Sequence, residues 1–383
     1  MLDDSLLQMR KFLAPEFVFG PGASDLAGRY ARNLGGPKAM VVSDAGVAAA
    51  GWTAKILANL RDAGLAAVEF LDVSPNPRDS QVMEGAQRFA REGCNMLIAV
   101  GGGSPMDCAK GIGIVHSNNQ HILTFEGADN VALPGPPLIC IPTTAGTSAD
   151  VSQFAIVSDT ARKVKIAIVS KALVPDVSLL DPALTVTMPP GLTAHTGLDA
   201  LTHAIEAYVS NASSPMTDLL ALEAIRLVGA SLPQAYAEPR NIHARSRMLH
   251  ASLLAGLAFT NAILGAVHAM AHSLGGFLDL PHGQCNAILL DHVVRRNYAA
   301  APERYQRVAE ALGAGGEAGP DALVGAVRGL KARLGVTQTL GDLGVVAADI
   351  PALAEMASRD PCLATNPAVL SRADLEALFR EAL

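Results

Sequence analysis

Strand-like and helix-like segments alternate through the first half of the chain, and this alternation constrains the fold more than any other feature. Short apolar runs bounded by turn residues are typical of buried strands, and longer amphipathic runs are typical of helices. The strand-like runs cover residues 37–44, 66–72, 95–102 and 136–144, and the helix-like runs between them include residues 51–64 and 79–93. Strands that alternate with helices pair in parallel, because each crossover needs about the length of a helix. We therefore predict a parallel sheet covered by helices.

The pattern changes twice farther along the chain. Residues 154–170 contain two β-rich runs around a Ser-Asp-Thr turn, which indicates a hairpin. After Pro190 the chain consists of long Ala/Leu-rich stretches with helical spacing, such as residues 218–237. We therefore predict an α/β domain over residues 1–187 and an all-helical domain over residues 188–383.

Composition excludes several classes of protein. The chain has 383 residues, of which half are apolar and 17% are charged, so it can bury large cores and is not disordered. Its net charge of −7 and its lack of basic runs argue against a nucleic-acid partner. No apolar run of membrane-spanning length and no secretory signal are present, so we expect no membrane association. The five cysteines form no CxxC pair, which favours reduced thiols and a cytoplasmic location.

A glycine-rich segment, GGGSPMDCAKG (101–111), follows the most apolar strand-like run. Glycines let a backbone approach a phosphate closely, and the free N–H groups of a following helix attract an anion. We interpret Ser104 as the N-cap of that helix and Pro105 as its first residue. The segment departs from the GxGxxG pattern, and a plain strand–helix turn without a ligand explains it equally well.

Three other features of the first half fit a nucleotide but are not decisive alone. Asp44 ends a strand, where a carboxylate can hold a ribose 2′-OH and disfavour a 2′-phosphate, or can simply cap a helix. The hydroxyl-rich segment 142–150 can bind phosphate or ribose, or form a turn. Lys165 is either a cofactor contact or a charge that protects a sheet edge.

Acidic and imidazole side chains are spaced in the second half as metal ligands would be. Two residues that lie four apart on a helix share one face, about one turn from each other. His268 and His272 have this spacing, as do Asp199 and His203, while His282 lies in a Pro-His-Gly turn. The candidate metal ligands are Asp199, His203, His268 and His282. One carboxylate and three imidazoles suit Fe²⁺ or Zn²⁺, although polar pairs on Ala-rich helices are often purely structural. His195 also lies on the Asp199 face and can orient a ligand.

These motifs together resemble the iron-containing (group III) alcohol dehydrogenases, and the similarity runs nearly end to end. The most specific stretch extends from Gly265 to Gly283 and includes His268, Ala271-His272 and Pro281-His282-Gly283. Other matching segments are FVFGPGA (17–23), PNP (75–77), GGGSPMDCAKG (101–111), IPTTAGTSAD (141–150), TGLDALTHAIEAYVS (196–210) and TNP (365–367).

The resemblance implies a dehydroquinate synthase-like architecture, in which a dinucleotide-binding parallel-sheet domain precedes a helical metal-binding domain. It implies hydride transfer between NAD(H) and a short-chain primary alcohol or aldehyde, with Fe²⁺ as the metal and Zn²⁺ possible in purified protein. His272 aligns with a histidine beside the nicotinamide, which we interpret as catalytic, and Asp199, His203, His268 and His282 align with the metal ligands. A homo-oligomer, a dimer or larger, is also implied. The implied NAD contacts are Asp44, Asn76, Gly102, Gly103, Ser104, Thr143, Thr144 and Lys165.

Related families provide the alternatives. A dehydroquinate-synthase-like lyase would handle a phosphorylated substrate and need a basic pocket, yet the predicted active-site stretches carry little Lys or Arg. Glycerol-dehydrogenase-like polyol dehydrogenases bind zinc with one Asp and two His, so the third imidazole at His268 favours the iron type. A non-catalytic NAD sensor would not need an intact ligand set. One departure from the family is Asp291, which stands where we expect a proline.

Overall fold

The computed structural model describes residues 11–314 and 319–383. The chain divides into two compact units, of which one is Leu13–Met188 and the other consists mainly of Pro189–Leu383. The division into folding domains of residues 1–187 and 188–383 stays a prediction.

Strands and helices alternate in the first unit, as the sequence predicts. Its strands are β1 (Glu16–Phe19), β2 (Lys38–Val42), β3 (Ala66–Phe70), β4 (Met96–Gly101), β5 (Gly127–Ala128), β6 (Leu138–Pro142), β7 (Phe154–Asp159), β8 (Val164–Val169) and β9 (Val177–Leu180). Its helices are α1 (Ala27–Asn33), α2 (Ala45–Ala49), α3 (Trp52–Asp62), α4 (Asp79–Arg91) and α5 (Gly103–Asn118). Six strands form a parallel sheet in the order β1-β9-β6-β4-β2-β3. A smaller sheet has the order β5-β8-β7, and its antiparallel β7–β8 pair confirms the predicted hairpin.

Helices cover both faces of the six-stranded sheet. Alternate side chains of β4 point to opposite sides, so Leu97 packs with the core under α4 and α5, whereas Ile98 packs with the core under α1 and α3. Strands that are buried on both faces explain the continuous apolar runs in the sequence. Two glycines let α4 and α5 approach closely, since a Cβ at Gly85 would overlap Ile112 and one at Gly111 would lie 2.8 Å from Val82 Cγ1.

The second unit is helical throughout its described residues. Its helices are α6 (Pro190–Val209), α7 (Pro215–Ala237), α8 (Ile242–Ala262), α9 (Ala266–Leu278), α10 (His282–Asn297), α11 (Pro302–Ala311), α12 (Pro320–Arg333), α13 (Ile350–Ser358) and α14 (Arg372–Glu381). The helices α6, α7 and α8 pack against one another, and α6 is buried along most of its length. Together with the parallel sheet of the first unit, this arrangement confirms the predicted fold class.

In the described parts of the chain, no single helix is both long enough and apolar enough to cross a membrane. Taken together, α8 and α9 have the length and composition of a membrane span, but the two helices are bent by 97° at the break between them.

Asp291, the departure from the family pattern, joins two helices. It lies buried in α10, and its carboxylate accepts hydrogen bonds from Arg328 Nε at 2.7 Å and Lys331 Nζ at 2.6 Å, both in α12. Burial acts to raise the pKa of Asp291, but Lys331 and Arg328 lower it more, and the net pKa lies below its ordinary value. The aspartate therefore attaches α12 to the helix that begins with His282.

We expect Asp291→Ala to lower the free energy of unfolding by about 3 kcal/mol, because it leaves the largely buried Lys331 ammonium without its negatively charged partner. Thermal or urea unfolding measures the change. The matched control is Glu223→Ala, which removes an exposed partner of Arg226 within α7 and should cost less than about 1 kcal/mol. Equal losses in the two variants would contradict this role for Asp291.

Candidate metal centre

The four predicted metal ligands converge in the second unit. Asp199 and His203 come from α6, His268 comes from α9, and His282 is the first residue of α10. Each offers one ligand atom, and these atoms all lie within 4.8 Å of one another. The Nε2 atoms of His203, His268 and His282 lie 3.9, 3.8 and 3.8 Å from Asp199 Oδ1. Three helices thus direct one carboxylate and three imidazoles to a common point.

The ligand set fits a divalent transition metal. Two tetrahedral ligands at about 2.1 Å from a metal lie about 3.4 Å apart, close to the separations measured to Asp199. Asp199, His203 and His268 are buried, whereas the His282 side chain is 25% exposed. A mostly buried group of four ligand atoms is electrostatically unfavourable without a cation or hydrogen-bond donors.

Local sequence explains why these helices meet. Asp199 and His203 lie four residues apart, which places them on one face of α6. A Cβ at Gly283 would lie only 2.9 Å from the His195 carbonyl oxygen, so glycine lets the first turn of α10 contact α6. The predicted Pro-His-Gly turn is therefore a helix start, with Pro281 at the N-cap and His282 as the first helical residue. His195 itself is outside the group of four.

Glu206 supports this centre and was missed by the sequence analysis. Its carboxylate accepts hydrogen bonds from Val267 N at 2.7 Å, Gly265 N at 3.0 Å and His268 Nδ1 at 2.6 Å. It thus binds the first turn of α9 and directs the Nε2 of His268 towards the other ligand atoms. Burial raises the pKa of Glu206 and the N–H groups of Val267 and Gly265 lower it, and the net pKa is raised to about 7. The sequence did contain a signal for Glu206, because this residue lies three positions after the candidate ligand His203 and therefore on the same helix face.

Burial also controls the charge of His268. Desolvation, followed by the proximity of His203, lowers the pKa of His268 well below its ordinary value. This imidazole is therefore neutral at pH 7, which is the form that ligates metals. The His268 ring stacks on that of His203, which in turn stacks on Phe259, with ring centroids 4.5 Å apart in both pairs.

A second group of polar side chains, His272 and Asp360, lies beside the four candidate ligands. His272 is one turn after His268 in α9, and its ring stacks on that of His282 with centroids 5.3 Å apart. Its Nδ1 lies 2.8 Å from Asp360 Oδ2, and the other oxygen of Asp360 accepts from Cys362 N. Burial acts to raise the pKa of Asp360, but His272 and the hydrogen bonds from Cys362 together lower it more, so the net pKa is below its ordinary value. Asp360 therefore orients His272. The two residues are 88 positions apart in the sequence, so no local sequence pattern predicts that they pair.

The predicted cofactor residues lie in the first unit, where the strand order reverses. Strand β2 has β3 on one side and β4 on the other, and ligands of open α/β sheets bind beyond the carboxyl ends of such strands. Asp44 follows β2 and caps α2 by accepting a hydrogen bond from Val47 N at 2.9 Å. Gly102 and Gly103 follow β4 and begin α5, whose N-terminus suits an anion.

Glycines and threonines face each other at this edge of the sheet. A Cβ at Gly102 would lie 3.3 Å from Thr144 Oγ1, and Thr143 N donates to Gly101 O at 2.9 Å. The predicted cap is wrong, however, because α5 starts at Gly103 with Gly102 as its N-cap, so Ser104 is already inside the helix. The extended backbone at Gly102 allows this earlier start.

Asn76 and Lys165 lie along the small sheet. Asn76 has a left-handed backbone with φ of 57°, and Pro77 O, which follows it, accepts from Ser158 N at 2.8 Å. Ser158 is the antiparallel register partner of Lys165. Ser158 of β7 is therefore hydrogen-bonded to the PNP segment and is also the strand-pairing partner of Lys165.

Comparison with known proteins identifies relatives over nearly the whole chain. Residues 14–182 match the family described as iron-containing alcohol dehydrogenase, and residues 193–383 match the C-terminal part of the Fe-containing alcohol dehydrogenase family. The 1,3-propanediol dehydrogenase of Citrobacter freundii is 43% identical over 383 residues, covering 98% of this chain and 99% of that protein. The NAD-dependent methanol dehydrogenase of Bacillus methanolicus is 38% identical over 377 residues, covering 97% and 99%. A crystal structure of 1,3-propanediol oxidoreductase matches with a TM-score of 0.95 at 43% identity, covering 98% of this chain and 100% of that one.

The fold and the convergent ligand atoms define a metal-dependent oxidoreductase that acts on alcohols. The chain belongs to the iron-containing alcohol dehydrogenase family. The predicted family and enzyme class are confirmed, and the lyase and sensor alternatives are set aside.

Proposed function

We propose that this protein transfers hydride between NAD(H) and a short-chain primary alcohol or aldehyde, using Fe²⁺ held by Asp199, His203, His268 and His282. The convergence of their four ligand atoms within 4.8 Å carries the proposal. When bound, the cation supplies Lewis acidity that favours loss of the alcohol proton. Zn²⁺ competes for the same nitrogen and oxygen atoms during purification, because it binds such sites more tightly than Fe²⁺.

The surrounding residues prepare this chemistry. The Asp199 carboxylate offsets part of the metal charge, and Glu206 holds the ring of His268 in its ligating orientation. We assign His272 as the catalytic residue that handles the alcohol proton. Asp360 accepts from its Nδ1, so its Nε2 is free of that bond and available to a substrate hydroxyl.

The cofactor proposal is NAD, bound at the carboxyl ends of β2 and β4. The Asp44 carboxylate favours a ribose 2′-OH and repels the 2′-phosphate of NADP. The N-terminus of α5 attracts the pyrophosphate. The NAD-dependent methanol dehydrogenase among the relatives supports this choice. The proposed contacts are Asp44, Asn76, Gly102, Gly103, Ser104, Thr143, Thr144 and Lys165.

The substrate class, the oligomeric state and the cellular location are also part of the proposal. The names of two relatives, a 1,3-propanediol dehydrogenase and a methanol dehydrogenase, support short primary alcohols. We propose a homo-oligomer in the cytoplasm, where the five buried free cysteines would stay reduced.

Metal analysis of anaerobically purified protein, combined with NADH formation from a panel of alcohols, tests the proposal. We expect about one Fe²⁺ per chain after iron reconstitution, and turnover with 1,3-propanediol, ethanol or methanol. Removal of the metal with a chelator should abolish turnover, and Fe²⁺ should restore it. Comparison of 1-propanol with 2-propanol tests the preference for primary alcohols, and comparison of NAD with NADP tests the role of Asp44. Full turnover by metal-free protein would refute the metal role.

A further inference from the structure

Asn286 contacts three of the four candidate ligand atoms. It lies in α10 one turn after His282 and is fully buried. Its Nδ2 donates a hydrogen bond to Asp199 Oδ1 at 2.6 Å and lies 3.2 Å from Nε2 of both His268 and His282. One amide group thus touches ligand atoms from α6, α9 and α10.

Two of the three atoms that face this amide, Asp199 Oδ1 and His268 Nε2, are hydrogen-bond acceptors. Asp199 Oδ1 belongs to a carboxylate, which has no proton to donate when ionised. His268 shares its Nδ1 proton with Glu206, so its Nε2 presents a lone pair. Lone pairs that converge in a buried site repel one another, and the low local dielectric strengthens the repulsion. The Asn286 N–H groups offset it without adding charge.

The orientation of the amide follows from the same surroundings. Asn286 Oδ1 is buried and has no hydrogen-bond partner among the described residues. Exchanging the amide oxygen and nitrogen would place this oxygen against the acceptor atoms Asp199 Oδ1 and His268 Nε2. The N–H₂ group must therefore face the ligand atoms, although burial of the opposite oxygen without a partner is unfavourable.

We propose that Asn286 is a positioning residue that holds Asp199, His268 and His282 at ligand spacing in the metal-free protein and keeps the Asp199 carboxylate oriented when metal is bound. The inference rests on the proposed metal centre. It assigns the amide two effects, one on the stability of the metal-free protein and one on metal affinity. If Asn286 only filled space, removing its N–H groups at constant side-chain size would change neither the stability of the metal-free protein nor the metal affinity.

Three variants separate these effects. Asn286→Leu has a similar size but no N–H, so we expect lower thermal stability of the metal-free protein and metal affinity weakened about 10- to 100-fold. Asn286→Asp places a carboxylate against acceptors, so it should lower the melting temperature of the metal-free protein more than Asn286→Leu does. Its added negative charge should then raise the melting temperature on metal binding by more than in wild type. Gln284→Leu is the matched control, because it removes an amide from α10 that is bonded to Gln338 instead of to the ligand atoms.

The experiment measures melting temperature without and with Zn²⁺, and the Zn²⁺ dissociation constant by competition with a chromophoric chelator. The absorption spectrum of Co²⁺-loaded protein reports ligand geometry and should change in Asn286→Leu but not in Gln284→Leu. Wild-type affinity and an unchanged Co²⁺ spectrum in Asn286→Leu would overturn the inference, as would an unchanged melting temperature of metal-free Asn286→Asp. Wild-type protein that binds metal but oxidises no alcohol would refute the proposed function and leave the Asn286 result valid. Wild-type protein that binds no metal would overturn both.

Discussion

Replacing His268 with alanine is expected to abolish stoichiometric metal binding and to lower alcohol turnover at least about a thousandfold. The variant removes one of four ligand atoms and also the ring that bridges Glu206 to Asp199. Lewis-acid stabilisation contributes several kcal/mol to such reactions, which corresponds to this loss of rate. Metal analysis and NADH formation measure the two effects. NADH binding, followed by fluorescence, should persist, because the proposed cofactor contacts belong to the other unit.

Two histidine controls make this test specific. His272→Ala removes the neighbouring imidazole one turn along α9 and should keep the metal while losing turnover, since His272 is outside the group of four. His243→Ala removes an exposed imidazole at the start of α8 and should change neither quantity. Full activity in metal-free His268→Ala protein would refute the Lewis-acid role. Metal loss in His272→Ala protein would instead show that His272 is a ligand.

Replacing Glu206 with glutamine is expected to weaken metal binding about 10- to 100-fold and to lower the free energy of unfolding by about 3 kcal/mol. The carboxylate accepts from three N–H groups, and a glutamine amide would turn its own N–H₂ towards at least one of them. His268 then loses the bond that orients its ring, and the first turn of α9 loses a buried cap. Chelator competition and urea unfolding measure the two losses.

The matched control for Glu206 is Glu223→Gln, which makes the same chemical change at a more exposed position in α7. Metal affinity should stay at the wild-type value in this control, and stability should change by less than about 1 kcal/mol. Wild-type metal affinity in Glu206→Gln protein would contradict the orienting role, even if the variant is destabilised.

Sequence periodicity was sufficient for much of the fold. The parallel sheet, the β7–β8 hairpin and the helical second half follow from runs whose spacing reports local geometry. It was less reliable at helix ends. The sequence favoured Ser104 as the N-cap and Pro105 as the first helical residue, but α5 begins two residues earlier, at Gly103, after an extended backbone at Gly102. His282 was assigned to a turn and is the first residue of α10.

The candidate ligands were readable from the sequence because each pair or motif is local. Asp199 and His203 share a helix face by spacing alone, and the stretch around His268 and His282 matches a specific family pattern. Their convergence depends on packing, in which Gly283 brings α10 against α6.

The sequence by itself determined the family, the fold class and the identity of the candidate ligands, since these depend on local periodicity and on short motifs. Only the tertiary structure decided which groups support those ligands. Glu206 meets His268 across 62 positions, Asp360 meets His272 across 88, and Asn286 meets Asp199 across 87. Hydrogen bonds between distant segments form only after helices pack, so spacing within one helix can mark a face but cannot identify the partner on another helix.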